Sequence, residues 1–228
     1  MCGRYSLTRE GEEIATLFRL DVPPGIAPRY NIAPAQPLGA VIQNRDTGRI
    51  EWRHLHWGLI PTWAKDPSIG QRLINARSET AARKPSFRSA IRYRRCLVPA
   101  DGFYEWKKQG GGKQPHHITL ADNSLFAFAG LWEHWQSGGG EEIESCTILT
   151  TTPNELMRTI HNRMPVMLAP EDHAGWLDPN KQDASEVVEL LRPFPAELMM
   201  ARPVGTYVNN PRNEGPRCLE TRPDSLFD

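Results

Sequence analysis

The chain has 228 residues, with 27 basic and 27 acidic side chains and a formal net charge of zero. That length fits one large domain or two small ones and is ample for a sizeable core. With 39% hydrophobic and 24% charged residues, the composition excludes a disordered chain, no apolar run approaches the ~18–20 residues of a membrane span, and the zero balance argues against a uniformly basic nucleic-acid binder.

Met1-Cys2-Gly3-Arg4 runs into polar residues, so the start is no secretory signal. Thr8 is expected to cap a helix reaching about Leu20, with Ile14, Leu17 and Phe18 on one face. Val22-Pro23-Pro24-Gly25 stops it. Residues 38–43 and 50–57 read as strands around a turn at Asp46-Thr47-Gly48. An irregular loop follows, marked by Pro61, Trp63 and Pro67. Residues 73–76 read as a short extended stretch and 79–83 as the start of a helix. Residues 96–99, 103–108, 116–120, 125–131 and 145–151 read as strands, with the glycine tracts at 110–112 and 138–140 as hairpin tips. Residues 154–160 read as a short helix with Pro153 near its start. A short strand at 166–168, helices at 170–177 and 184–191, and a late strand at 199–204 complete the chain. Strands in runs, with helices at the edges and towards the C-terminus, predict an α+β fold with a mostly antiparallel sheet or half-barrel. No linker is visible, and residues 1–228 are expected to form one domain.

The charges are not evenly mixed. Between residues 72 and 95 lie Arg72, Arg77, Arg83, Lys84, Arg88, Arg92, Arg94 and Arg95 against the single acid Glu79. Residues 141–228 carry eight bases and fifteen acids. Arg outnumbers Lys by 21 to 6, and its planar fork suits bidentate phosphate contacts. A coding bias towards Arg explains the ratio equally well but not the clustering, which predicts an anion-binding face.

The four cysteines, Cys2, Cys96, Cys146 and Cys218, have no C-x-x-C or zinc-finger spacing, so no structural metal is expected. A reducing compartment without disulfides is expected. Cys96 and Cys146 sit in apolar surroundings and read as buried strand residues. Cys2 differs. Aminopeptidases remove an initiator Met before a small residue, which would leave Cys2 with a free α-amine and a thiol on adjacent carbons. Reference pKa values of ~7.7–8.0 and ~8.5 leave a useful fraction of each nucleophilic near neutrality. Such a 1,2-aminothiol condenses with an aldehyde to an imine, which the thiol closes to a five-membered thiazolidine. Gly3 permits close backbone approach, and Arg4 could hold a phosphate. Cysteine-initiated amidotransferases offer a second reading, with the amine as base and the thiol as nucleophile. Those chains continue with an apolar residue and another glycine, whereas Arg4-Tyr5 follows here.

Three further segments carry chemistry. In the basic belt, Asn75 offers a donor and an acceptor beside Arg77. Glu105 lies between aromatics in Phe103-Tyr104-Glu105-Trp106, where partial desolvation would suit it to acid/base work; taken alone, the pattern favours a strand Glu facing solvent. His161, at the end of a short helix beside Arg163, could protonate an oxygen while the arginine holds a phosphate, although a lone His is more often structural.

Seven blocks in order resemble the SRAP (SOS-response-associated peptidase) family: Met1-Cys2-Gly3-Arg4-Tyr5, Arg29-Tyr30-Asn31-Ile32-Ala33-Pro34, Trp57-Gly58-Leu59-Ile60-Pro61-Thr62-Trp63, Ile74-Asn75-Ala76-Arg77-Ser78-Glu79-Thr80, Ala100-Asp101-Gly102-Phe103-Tyr104-Glu105-Trp106, Ile160-His161-Asn162-Arg163-Met164-Pro165, and Val208-Asn209 with Asn213-Glu214-Gly215-Pro216. The resemblance spans essentially the whole chain. It implies two curved sheets flanked by short helices with a basic groove, and capture of abasic sites in single-stranded DNA as a thiazolidine on Cys2. By the same resemblance Asn75 orients the amine or the open sugar, Glu105 is the general acid/base, and His161 assists sugar opening. Arg4, Arg77 and Arg163 hold phosphates, and Trp63 stacks on bases, with Ala64 where some relatives have a second Trp. Asn31 and Pro34 are implied groove residues. No cofactor is implied. The expected partner is abasic single-stranded DNA, including replication-fork junctions, met by a monomer in the bacterial cytoplasm and nucleoid. Lyase activity follows from imine chemistry; the peptidase label needs no more than loss of Met1. A non-covalent reader of modified DNA is the remaining alternative.

Overall fold

The computed structural model describes residues 2–221. The strands are β1 (Tyr5–Leu7), β2 (Arg29–Ile32), β3 (Pro37–Gln43), β4 (Ile50–Trp57), β5 (Asn75–Arg77), β6 (Arg95–Ala100), β7 (Gly102–Gln109), β8 (Gly112–Leu120), β9 (Phe126–Gln136), β10 (Glu142–Thr151), β11 (Met164–Pro165), β12 (Met167–Leu168) and β13 (Met199–Pro203). The α-helices are short: α1 (Gly11–Phe18), α2 (Ser78–Ala81), α3 (Ala90–Tyr93), α4 (Glu155–Arg158), α5 (His173–Leu177) and α6 (Ser185–Val188). One sheet runs β13-β8-β7-β1-β2. The other runs β10-β4-β3-β6-β9 and closes on itself, because β9 also pairs along β10 from Gln136↔Glu142 to Gly130↔Ile148. The expected half-barrel is therefore a closed five-stranded ring, with β5, β11 and β12 added at its rim. Closure removes both exposed edges from these strands. The pairings are antiparallel except β10 with β4 and with β5.

The sheets share one core. Tyr5 of β1 is fully buried and meets Trp57 and Phe128 of the ring edge-on, with centroids 5.5 and 5.9 Å apart. Cys96 and Cys146 are buried on β6 and β10, as their apolar flanks predicted. A polar knot fixes β1. Ser6 Oγ donates to Asp101 Oδ1 (2.6 Å) and lies 3.0 Å from His117 Nε2, while the Thr8 N–H and Oγ both donate to Asp101 Oδ2. Thr8 is therefore not the cap of α1. That position falls to Glu10, which makes no side-chain cap bond, and the helix ends at Arg19 with a left-handed φ of 56°. The β7–β8 hairpin turns as expected through Gly110 and Gly111 (φ 54° and 81°). The helix expected over 154–160 is shorter, capped by Asn154, whose side chain accepts from Met157 N–H. Among the described residues, no helix is long and apolar enough to cross a membrane.

Candidate functional site

β1 pairs with β7 at Tyr5↔Phe103 and Ser6↔Gly102, and Tyr104 N–H donates to Arg4 O (2.9 Å). This ladder carries the segment before β1 alongside β7. Cys2 is fully buried there. Burial pushes its thiol well above the ordinary range and the charge of Glu105 pushes it further, opposed first by the positive charge of the amino terminus and then by a backbone hydrogen bond from Arg4. That direction belongs to the chain with Met1 in place; the nucleophilic fraction expected of Cys2 concerns the chain after Met1 is lost. Glu105 is only 3% exposed, so it is not the solvent-facing strand residue that alternation favours.

Glu105 and His161 line one groove of about 580 Å³, together with Trp106, Lys107, Lys108, Lys113, Thr159, Ile160 and Asn162. His161 follows α4, its N–H donating to Met157 O (2.8 Å). Its Nδ1 accepts from Arg163 N–H (3.0 Å), which leaves the proton of the neutral ring on Nε2. Arg163 O lies 3.1 Å from the same Nδ1.

Asn75 stands on β5, in register with Ile148 of β10. Its Nδ2 reaches Ile148 O at 3.4 Å, and its Oδ1 is buried without a hydrogen-bond partner. A buried acceptor left open in this way is costly unless a ligand donates to it. The Asn75 and His161 segments are fastened together by Arg163. Its guanidinium grips Glu79 in bidentate fashion (2.6 and 2.9 Å) and donates to Thr150 O (2.6 Å), and Thr150 pairs with Arg77 in the β10–β5 ladder. The Arg163 bonds hold the Glu79 carboxyl below its usual range. Glu79, merely the one acid of the belt by sequence, is the counter-ion of Arg163.

Other expected site residues divide into exposed and structural. Arg77 is exposed. Trp63 is 56% exposed on a loop held by Ile60 N–H to Ser145 Oγ (2.8 Å) and Trp135 Nε1 to Ala64 O (2.7 Å). Pro34 is half-buried in a turn before Ala35, whose φ is 65°. Arg4 is 9% exposed, and its Nη1 donates to Asn31 Oδ1 and Val208 O (both 2.7 Å). Asn31 is 1% exposed, and its Nδ2 reaches the carbonyls of Val208, Asn210 and Asn213. Glu214 accepts from the Tyr30 and Asn31 N–H groups, and Trp106 Nε1 donates to Asn209 Oδ1 (2.8 Å). Asn31 and the Val208–Glu214 stretch thus form a bracket beneath Arg4 and Trp106. Sequence reasoning found those residues as a motif but not as a bracket.

The basic belt divides as well. Arg72, Arg77, Arg83, Lys84, Arg88 and Arg92 are exposed. Arg94 instead pairs with the buried Glu133 (2.8 Å). Arg95 is buried and donates to the carbonyls of Trp176, Ile91, Arg92 and Asp178 around the ends of α3 and α5. Among the described residues, no group of three or more His, Cys, Asp or Glu is placed to hold a metal ion.

A model of the SOS response associated peptidase (SRAP) family matches residues 1–211. The chain is 45% identical over 225 residues to the abasic site processing protein YoqW of Bacillus subtilis, covering 97% of this chain and 100% of that one. It is 36% identical to the abasic site processing protein HMCES of Gallus gallus, covering 84% of this chain and 66% of that one. A crystal structure of a Bacteroides thetaiotaomicron protein superposes with a TM-score of 0.85 at 28% identity, covering 97% and 100% of the two chains.

Proposed function

The chain belongs to the SRAP family, and from that premise we propose that it processes abasic sites in single-stranded DNA by forming a thiazolidine between Cys2 and the sugar aldehyde. The observation that carries this reading is that Glu105 and His161 line one groove, while the β1–β7 pairing brings the segment holding the buried Cys2 alongside the strand of Glu105. Loss of Met1 frees the α-amine of Cys2. His161 protonates the ring oxygen of the closed sugar, and the anomeric hydroxyl gives up its proton as the aldehyde opens. The Cys2 amine adds to C1′, and the carbinolamine loses water, with Glu105 as general acid, to leave an imine. The neutral thiol then adds to the imine carbon, and its proton passes through Glu105 to the nitrogen. Asn75 Oδ1 is the open acceptor that would orient the amine. Arg77 would hold a flanking phosphate and Trp63 would stack on a neighbouring base; Arg4, Arg163, Asn31 and Pro34 would shape the groove beneath them.

The amidohydrolase reading uses the same N-terminus, with the amine freed by loss of Met1 as base and the thiol as nucleophile; release of ammonia from glutamine without a DNA adduct would favour it. Imine-first chemistry asks nothing of the thiol until a strong electrophile is in place. An imine at C1′ also acidifies C2′, so strand cleavage by β-elimination competes with ring closure. Closure removes the imine and protects the strand.

The test is denaturing electrophoresis after mixing the mature protein with a single-stranded abasic oligonucleotide. A heat-stable protein–DNA band is expected. An oligonucleotide whose aldehyde has been reduced to the alcohol should give none; an equal band from it would refute aldehyde capture.

A further inference from the structure

In a chain where Arg outnumbers Lys by 21 to 6, three of the six lysines, Lys107, Lys108 and Lys113, lie on the β7–β8 hairpin. Residues 106–120 hold no acid at all. The register sets Lys108 directly opposite Lys113 and puts Lys107 across from Gln114. Like charges opposite each other destabilise a ladder, and the one acid of β7, Glu105, is buried on the strand before them. None of the three lysines has an ion-pair partner among the described residues. All three line the 580 Å³ groove that contains Glu105 and His161. The opposite wall, Thr159–Asn162, likewise brings no carboxylate. Three ammonium groups against the single carboxylate of Glu105 leave the groove lining with a positive excess suited to a polyanion.

We propose that the β7–β8 hairpin is a phosphate clamp, in which Lys107, Lys108 and Lys113 hold the backbone of the DNA strand as it leaves the lesion along this groove. The proposal rests on the functional reading above and adds a binding site outside the 72–95 belt. Lysine suits the place: a flexible stem carrying a point charge follows phosphates whose spacing varies, and the Gly110–Gly111 tip lets the hairpin adjust. The nearest aromatic, Trp106, is committed to Asn209 and lies under Arg4. The clamp is therefore electrostatic and indifferent to base sequence.

The test uses a tetrahydrofuran abasic analogue, which has no aldehyde and reports reversible binding alone. Each single-strand phosphate contact contributes about 0.7 to the slope of log affinity against log salt. The triple variant Lys107→Gln/Lys108→Gln/Lys113→Gln should lose about 2 from that slope, and each single variant about 0.7. Shortening the parent's oligonucleotide on one side of the lesion should reproduce the loss, and the triple variant should not respond to that shortening. Because the substitutions are at the hairpin, an unchanged melting temperature confirms folding. An unchanged slope in the triple variant, or equal sensitivity of parent and variant to shortening on either side, would overturn the clamp. A parent protein that binds the analogue but crosslinks no abasic DNA would overturn the functional reading while leaving the slope test to judge the clamp by itself.

Discussion

Glu105 and His161 reach the same groove by different routes. Glu105 comes from a strand pinned by the Cys2–Leu7 segment, and His161 from the turn after α4, held by contacts of its ring Nδ1 to the Arg163 backbone. This division suits a reaction that first needs an acid at the sugar oxygen and then a proton carrier at the new carbon–nitrogen bond. Glu105→Gln keeps the shape and removes the proton exchange. We expect adduct formation to slow by about 10²–10⁴-fold, the usual worth of a general acid/base, with reversible binding of the tetrahydrofuran analogue little changed. Stopped samples resolved by denaturing electrophoresis give the rate. In the proposed reaction Asn75 acts through its open Oδ1, so Asn75→Ala should also lower the rate more than the affinity, and Asn75→Asp, which keeps an acceptor, should recover part of it.

Among the elements, the Arg163 clamp has the clearest consequence. By joining Glu79 to Thr150 it locks the turn that carries His161 against β5 and β10. Arg163→Lys keeps the charge but loses the two-pronged grip. We expect a slower reaction and a lower melting temperature from that variant, whereas a residue that merely touched phosphate would change the salt dependence and leave the melting temperature alone. The knot under β1 supplies two stability predictions. A Cβ at Gly102 would sit 2.1 Å from His117 Nε2, on a buried ring that cannot swing away, so Gly102→Ala should cost about 1–3 kcal/mol in urea unfolding. Burial holds the His117 ring neutral, with its pKa lowered from 6.5 to about 4. The unfolded chain therefore binds an extra proton between those values. The stability that the neutral ring contributes is fully present above pH 6.5 and is lost as pH falls towards 4, amounting to on the order of 3 kcal/mol. His117→Gln should flatten that part of the pH–stability curve.

These elements also show where sequence suffices. The strands β3, β4 and β7 to β10 announce themselves by alternation and turn residues. β1 and β2 do not, since three- and four-residue strands carry little pattern and their pairing joins Tyr5 to Ile32 and Phe103. β9 runs on to Gln136, past its expected end at 131, because the buried Glu133 is neutralised by Arg94 from another element. Cys2, Asn75, Glu105 and His161 stand out in the sequence as motif residues, and the structure brings Glu105 and His161 to one groove. The bracketing work of Asn31 and the Glu79–Arg163 pair was not legible in the sequence, because both depend on partners far away in the chain.

At the scale of the whole molecule, the pairing of β9 with β10 turns a curved sheet into a closed ring, and the second sheet lies across it to bring Cys2 into the shared core. Nothing local in the sequence specifies that closure; it needs β10 to lie parallel to β4, about ninety residues earlier. Zero net charge is likewise a sum that hides its parts. Two of the eight belt bases are structural, and the exposed remainder is offset in number by a C-terminal third rich in acid. We expect weak binding to undamaged duplex DNA that falls linearly in log–log plots against salt, so that the covalent bond rather than bulk attraction holds the lesion.

That bond is the central claim, and the intact mass of the mature protein mixed with a single-stranded abasic oligonucleotide tests it most directly. The account predicts a species equal to the chain without Met1 plus the oligonucleotide less one water, stable to heat and absent for Cys2→Ala unless the imine is first trapped by borohydride. A heat-stable species of that kind from untreated Cys2→Ala, or no covalent species from the parent, would contradict it.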